Sequence, residues 1–523
     1  MSPRVTWGPG RLPPRRPILA PAPTAPWRDF AGMQPVRSIR EFRGVDKRSP
    51  FALHEGAATD AVNTDSEAFP LLRPRQGYRF WGPALPAPIR LARWWKLSMK
   101  MLGLANGVLY ERPTTDAEAA WTQVATGLST APWYYTATDF IGNYSDSNVI
   151  ITDEAKLWRY NGTSLTEIVA APKVGGRTLN NLASHRNRLW GSINNRLYAS
   201  ALANAEDWTT AGSAGSAAFE IDVPGEAIIR AVHPLAGHLL VATRHSLWDL
   251  AGTGPDNWTL YNISEAIGVE GGHNSVCEVG GVLYWIAYDG IYRYAGGVAP
   301  DKDFSAPVMD YVVDFIRADF SVRVKACATT DGRHYILALP QGASATAPTR
   351  MLVYDTLYGI WHVWDFGVEI HSAAYSPGVG FMAFGGGDGR LRVQMGHSTH
   401  GFREGDNDPN APLVPWRWVS RPFGAGPLSA QHWWYRLWLV VDVPSGATLN
   451  IYVSPKAEGD DSWVLVGNVQ PQATLQEHRI VIPIPVLANA NWVRVKLEGT
   501  GGVRVHSIDF QERVLRHGIE AGE

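Results

Sequence analysis

The chain has 523 residues, a formal net charge of −2, 45% hydrophobic and 18% charged residues, 22 Trp and 52 Gly. That length supports two or three domains with full cores, and the near-neutral charge gives no general reason to expect nucleic-acid or acidic-membrane binding. Two cysteines, Cys277 and Cys327, exclude a disulfide framework and a four-thiolate metal site, and no apolar run reaches the 18 residues a membrane helix needs.

Residues 1–27 hold eight prolines and four arginines, and the first acid is Asp29. Proline neither continues a helix nor donates to a sheet, so 1–35 reads as an extended Pro/Arg-rich arm with no core of its own. Ordering such an arm costs about 1–2 kcal/mol per residue, so it needs a surface to lie on. Arg4, Arg11, Arg15 and Arg16 are therefore expected at an interface, with a protein neighbour preferred over DNA. Proline also interrupts every apolar stretch there, which argues against a secretory leader. Residues 36–82 form a second extended segment, able to lend a strand to whatever follows.

From 83 to 400 a two-strand unit recurs: strand, tight turn, aromatic-rich strand. It starts at 100–110, with Asn106-Gly107 supplying a hairpin turn, and returns at 148–160, 188–198, 238–248, 282–294, 333–354 and 380–393. Taking Met101, Val149, Leu189, Leu239, Leu283, His334 and Phe381 as equivalent gives steps of 48, 40, 50, 44, 51 and 47 residues. A four-stranded propeller blade repeats every 40–50 residues, so the expectation is a β-propeller of six to eight blades, closed with a strand borrowed from 36–82. Cys277 and Cys327 fall one period apart, which makes them equivalent core positions.

A polar hinge at 397–415 ends the period. Residues 411–516 then alternate with turn signals about every ten residues, the pattern of a C-terminal β-sandwich of the jelly-roll kind. Trp416, Trp418, Trp433 and Trp434, with Trp438, cluster at its start and are expected at a domain or subunit interface, with sugar stacking as the alternative.

No phosphate-loop, zinc-protease, serine-hydrolase or EF-hand motif occurs. The run Gly385-Gly386-Gly387-Asp388-Gly389 joins two strands rather than opening a helix and reads as a hairpin turn. His397 and His400 lack a third ligand nearby, so neither a metal nor any other cofactor is expected. Propeller glycosidases need two carboxylates at a fixed separation, and Asp139, Asp146, Asp289 and Asp355 read instead as solvated turn acids. The chain is accordingly read as all-β and non-enzymatic.

Within 36–82 the pattern is a Gly-containing stretch ending in Pro, a small-residue segment leading to Val-Asn, then Arg-Pro before the first propeller strand. Gly44, Pro50, Val62, Asn63, Arg73, Pro74 and Gly77 hold those places. This resembles the opening of bacteriophage tail nozzle and tail-hub proteins, including the tail tubular protein B family of short-tailed phages. The blade ends, such as 289–294, resemble phage propellers that plug packaged DNA in the neck. The likeness spans roughly 36–396 and departs from the nozzle family in lacking a Gln-Gln-Pro opening and large inserted domains.

The resemblance implies a virion tail or neck protein made in the bacterial cytoplasm. It implies a homo-oligomeric ring, usually six-fold, next to a head–tail adaptor or portal and to tail-fibre or tail-tip proteins. Double-stranded DNA would pass through that ring without sequence-specific contact, and no part would insert in a membrane. A receptor- or glycan-binding tail-tip protein and a propeller glycosidase are the two alternatives.

Overall fold

The structure is a computed structural model. It describes residues 36–516 except 96–98, 131, 212–214, 226, 298, 377–379, 396–400, 406–407, 409, 425–430, 461, 472–477 and 485–489. Arg4, Arg11, Arg15, Arg16, His397 and His400 lie outside the described residues.

The repeat unit builds seven antiparallel sheets in chain order, between residues 91 and 395. All seven positions aligned in the sequence fall on the second strand of their sheet, from Lys100–Ala105 in the first to Phe381–Gly386 in the seventh. These second strands are almost wholly buried; Arg188–Ile193 and His334–Leu339 have every residue buried. A strand flanked by sheets on both faces reads as a continuous apolar run, not an alternating one. Sheet five has three strands, and the connection from it to sheet six carries helices α1 (Met309–Arg317) and α2 (Phe320–Arg323).

The seven sheets close into one ring. A channel of about 300 Å³ runs down the centre, lined in turn by Ala92, Ala137, Ala183, Val232, Val276, Ala328 and Ala373, one residue from each sheet's inner edge. Small side chains there let seven strands approach a common axis. The chain is thus a seven-bladed β-propeller. Its outermost seventh-blade strand is Arg79–Phe80, which pairs antiparallel with Leu391–Met395 at Val393 and Arg392. The ring is therefore fastened by residues that precede its first blade.

The remaining strands form two further antiparallel sheets and two short two-stranded pairs, Thr64–Asp65 with Arg73–Pro74 and Lys173–Val174 with Arg177–Thr178. One of the two sheets, of four strands, is built on Gln431–Asp442 and Arg504–Arg516; the other, of six, on Thr448–Ser454 and Trp492–Thr500. Leu437, Leu439, Val441 and Ile508 from the first share a hydrophobic cluster with Leu449, Ile451, Val493 and Leu497 from the second. Each sheet also takes a strand from the N-terminal side. Val36–Ile39 pairs with the strand at 504–516 (Val36 opposite Gln511), and Ala58–Val62 pairs with Pro415–Ser420 (Ala61 opposite Trp418). Residues 36–82 thus serve both halves of the molecule, where the sequence pointed only to propeller closure.

Candidate functional site: the seam between propeller and C-terminal sheets

The seam is built around Arg75, whose side chain has no solvent exposure. Nε donates to Asn63 Oδ1 (2.9 Å), Nη1 to the Gln76 carbonyl (3.0 Å) and Nη2 to the Asp365 carbonyl (3.0 Å). Nη2 also pairs with Glu404, and the guanidinium lies 4.2 Å over the Phe366 ring. Burial lowers the proton affinity of Arg75, and the Glu404 carboxylate works in the opposite direction. A charge at this depth persists because planar donors in a fixed fork meet acceptors on every side.

Asn63 supplies two more links. Its backbone is left-handed (φ +58°), a conformation Asn tolerates. In that pose Nδ2 donates to the Pro415 carbonyl (2.8 Å), while Oδ1 accepts from Asp365 N–H (2.8 Å) as well as from Arg75. One side chain therefore ties blade six, the C-terminal sheets and the N-terminal segment together.

The glycines at the seam are places of close backbone approach. A Cβ on Gly44 would sit 1.8 Å from the Trp361 carbonyl oxygen, and one on Gly77 would sit 1.9 Å from that of Arg403. Arg73 bridges Asp65 (3.3 Å) and Glu67, and Pro74 is buried opposite Thr64. Burial raises Asp65 to about 6, with Arg73 opposing the shift. Pro50 opens the short 3-10 turn Pro50–Ala52. Gly44, Asn63 and Gly77 of the pattern thus mark points where the N-terminal segment meets the rest of the chain, while Pro50, Arg73 and Pro74 shape the segment itself.

Trp416, Trp418 and Trp434 are 3%, 1% and 0% exposed. Their rings belong to the hydrophobic cluster that runs from the C-terminal sheets through Phe42 and Val45 into blades five and six, where it includes Tyr284, Tyr335 and Trp361. Trp418 meets Phe42 edge-on, centroids 5.4 Å apart. Rings so deeply placed offer no face to a sugar or to another subunit; they pack inside the chain, along the seam. Trp433 lies on Gln431–Asp442, and its side chain is outside the described residues.

The acids considered for hydrolysis are dispersed. Asp139 pairs with Arg93 (2.9 Å), Asp289 pairs with Lys302, and Asp146 accepts from the Ser147 N–H (2.7 Å). Asp355 departs from the expected solvated turn acid: it is 0% exposed, bound by Arg333 (Nε to Oδ1, 3.0 Å), Ser66 and His334. Burial opposes its ionised form, but those partners hold it far below the usual carboxylate range. Beside it, burial opposes the His334 imidazolium, yet Asp331 (2.6 Å) and Asp355 raise it to about 9. Sequence reasoning missed this network because Asp331-Gly332 and Asp355 both look like ordinary turn residues. Cys277 and Cys327 each open an inner strand, and burial pushes both thiols up to about 12, which keeps them protonated and poorly nucleophilic.

Beside the buried seam an open cleft of about 1270 Å³ separates the propeller from the C-terminal sheets. Arg350, Asp365, Glu404 and Glu498 are among the residues lining it. Two of its charges are already matched, Arg350 with Asp365 at 2.8 Å and Glu404 with Arg75.

These features define the class as a β-propeller chain with two further sheets fastened to it. No protein family's sequence profile matches the chain, and no curated protein matches it. Among solved structures it is similar to Raptor of Chaetomium thermophilum (10% identity, TM-score 0.42), covering 62% of this chain and 30% of that one. It is also similar to PorZ of Porphyromonas gingivalis, described as a bacterial surface component of the type-IX secretion system (14%, TM-score 0.38, 67% and 43%). A third is the C-terminal WD40 domain of Sif2 (13%, TM-score 0.37, 62% and 99%). At these TM-scores the likenesses carry no argument about this chain. Among the described residues no helix is long and apolar enough to cross a membrane.

Proposed function

We propose that the chain is a structural subunit of a bacteriophage tail or neck, a nozzle or hub component that works by shape and contact rather than by catalysis. One observation carries this reading. The residues on which the resemblance to phage tail proteins rests include Gly44, Asn63 and Gly77, which meet Trp361, Asp365 with Pro415, and Arg403 across the seam, while Arg73 and Pro74 brace the same segment through Asp65, Glu67 and Thr64. The resemblance therefore extends from letters to the parts that make the molecule one body.

A propeller joined to a second unit through continuous core resists bending, as a ring subunit under load must. Copies set around an axis, six in the family it resembles, leave a lumen between subunits for double-stranded DNA, with adaptor and tail-tip proteins at either end. Near-neutral charge suits that role, because tight phosphate contacts would hold DNA back. The glycan-binding alternative loses three of its stacking candidates to burial of Trp416, Trp418 and Trp434.

Cryo-electron microscopy of the full chain, alone and mixed with neighbouring virion proteins, tests the reading. Closed rings of this chain are expected. A chain that stays monomeric at all concentrations and with every neighbour sinks it.

A further inference from the structure

One mouth of the propeller channel is capped. Trp133, between blades one and two, meets Phe320 of α2, between blades five and six, with ring centroids 5.5 Å apart. Asn274 reaches across to the Tyr135 carbonyl (3.0 Å). Elements from opposite sides of the ring therefore touch over the axis.

Beside this cap lies a cleft of about 80 Å³, walled by Trp133, Tyr134 and Asn181 and bordered by Arg177, Arg230 and Glu154. Arg230 stacks on Phe320 (4.2 Å), and Arg177 lies over Trp133 (5.7 Å). Stacking holds a guanidinium by its face and leaves its N–H edges free to donate. The Arg230 Nε is buried with no hydrogen-bond partner among the described residues.

The local charge is out of balance. Behind Arg230, Arg244 and Arg323 both pair with Glu270 (2.9 Å each), a carboxylate with no exposure. Glu154, the other acid at the cleft, accepts from Asn180 (3.3 Å) and from the Trp133 and Tyr134 N–H groups, and its charge interacts with that of Arg177. Four guanidiniums thus face two carboxylates, both engaged, and for the more deeply placed Arg230 and Arg323 unpaired charge is costly. Arg90, further round the mouth, already donates to the carbonyls of Thr130 (3.0 Å) and Pro132 (2.7 Å).

We propose that this cleft binds a single oxyanion group, a carboxylate or a phosphate, gripped between Arg177 and Arg230 with Trp133 and Tyr134 as walls. The volume suits one such group, either a small free anion or the anionic end of a larger ligand. The other polar side chains are committed to the frame: Tyr134 Oη donates to Asn181 Oδ1 (2.8 Å), and Asn181 Nδ2 donates to Ser192 (2.8 Å) and to the Ile229 carbonyl (3.0 Å). They shape the cleft, leaving the unpartnered Arg230 Nε as its inner donor and Arg177, balanced by Glu154, at its rim.

The test is titration of the full chain with inorganic phosphate and, separately, acetate, at constant ionic strength set with sodium chloride, read by calorimetry and thermal shift. Saturable binding of either anion is expected, with at least a tenfold loss of affinity in both Arg230→Gln and Arg177→Gln. Arg177 sits on an exposed hairpin (Lys173–Val174 with Arg177–Thr178), so its variant reports on the site even where loss of the Arg230 stack disturbs folding. A response that chloride alone reproduces, or one unchanged in Arg177→Gln, overturns the proposal.

Discussion

Arg75 carries a full charge where no water reaches it, so its neighbours must do what solvent would. Replacing it with Met leaves Glu404 buried without its cation, and loss of one partner of such a pair typically costs about 3–5 kcal/mol. Urea denaturation of Arg75→Met is expected to show that loss as a lower midpoint. The double variant with Glu404→Gln should recover part of it, because the stranded charge is then gone. A double variant no more stable than the single one contradicts this account of the pair.

The histidines set a second prediction at this scale. His362 is 3% exposed, bonds Thr64 Oγ1 (3.2 Å) through Nδ1, and is pushed by burial down to about 3. Both states leave it neutral above pH 6.5; below that the unfolded chain takes up a proton that the folded chain refuses until about pH 3. Stability is therefore present above 6.5 and lost as pH falls, by about 2 kcal/mol at pH 5 from this residue alone. His334 acts on the other side. Held at about 9, its contribution is complete below 6.5 and disappears as pH rises through 9. Thermal unfolding between pH 5 and 10 should trace a dome, with His362→Gln flattening the acid limb and His334→Gln the alkaline one.

At the scale of elements, the propeller was legible because its information is local. Each hairpin lies within one period, so turn residues and apolar second strands repeat where the eye can align them, as from Met101 to Phe381. The seam was not legible in the same way. Ala58 pairs with Ser420 and Val36 with Gln511, partners hundreds of residues apart, and no short-range pattern records such pairings. The tryptophans left their partner open for a related reason. Alternation at Trp416 and Trp418 fits a strand with one face on a partner, and only the added strand Ala58–Val62 shows that the partner is this chain itself. Removing residues 1–82 should therefore do more than open blade seven: it strips one strand from that blade and one from each C-terminal sheet. Such a truncated chain is expected to aggregate, and in any soluble fraction the amides of 391–395 that face the lost strand, not those bonded to Phe381–Gly386, should exchange faster. A soluble truncated chain with native circular dichroism would show that the segment is dispensable.

For the molecule as a whole, the governing fact is that one hydrophobic cluster runs from Tyr335 and Leu352 in blade six, through Trp361, Phe42 and Trp418, to Leu439 and Val495 in the C-terminal sheets. Two bodies joined by a linker unfold separately; two bodies that share core unfold together, because opening one exposes apolar surface on the other. The full chain is therefore expected to show a single calorimetric transition with equal calorimetric and van't Hoff enthalpies. Truncation of the shared ring in Trp418→Ala should lower that whole transition, at the ~3–5 kcal/mol typical of buried Trp-to-Ala changes, rather than split off a C-terminal one. Two resolved transitions in the unaltered chain would mean that the seam is only a contact. The proposed role as a tail-ring subunit needs force passed through the seam, so this measurement bears on that proposal as well as on the fold.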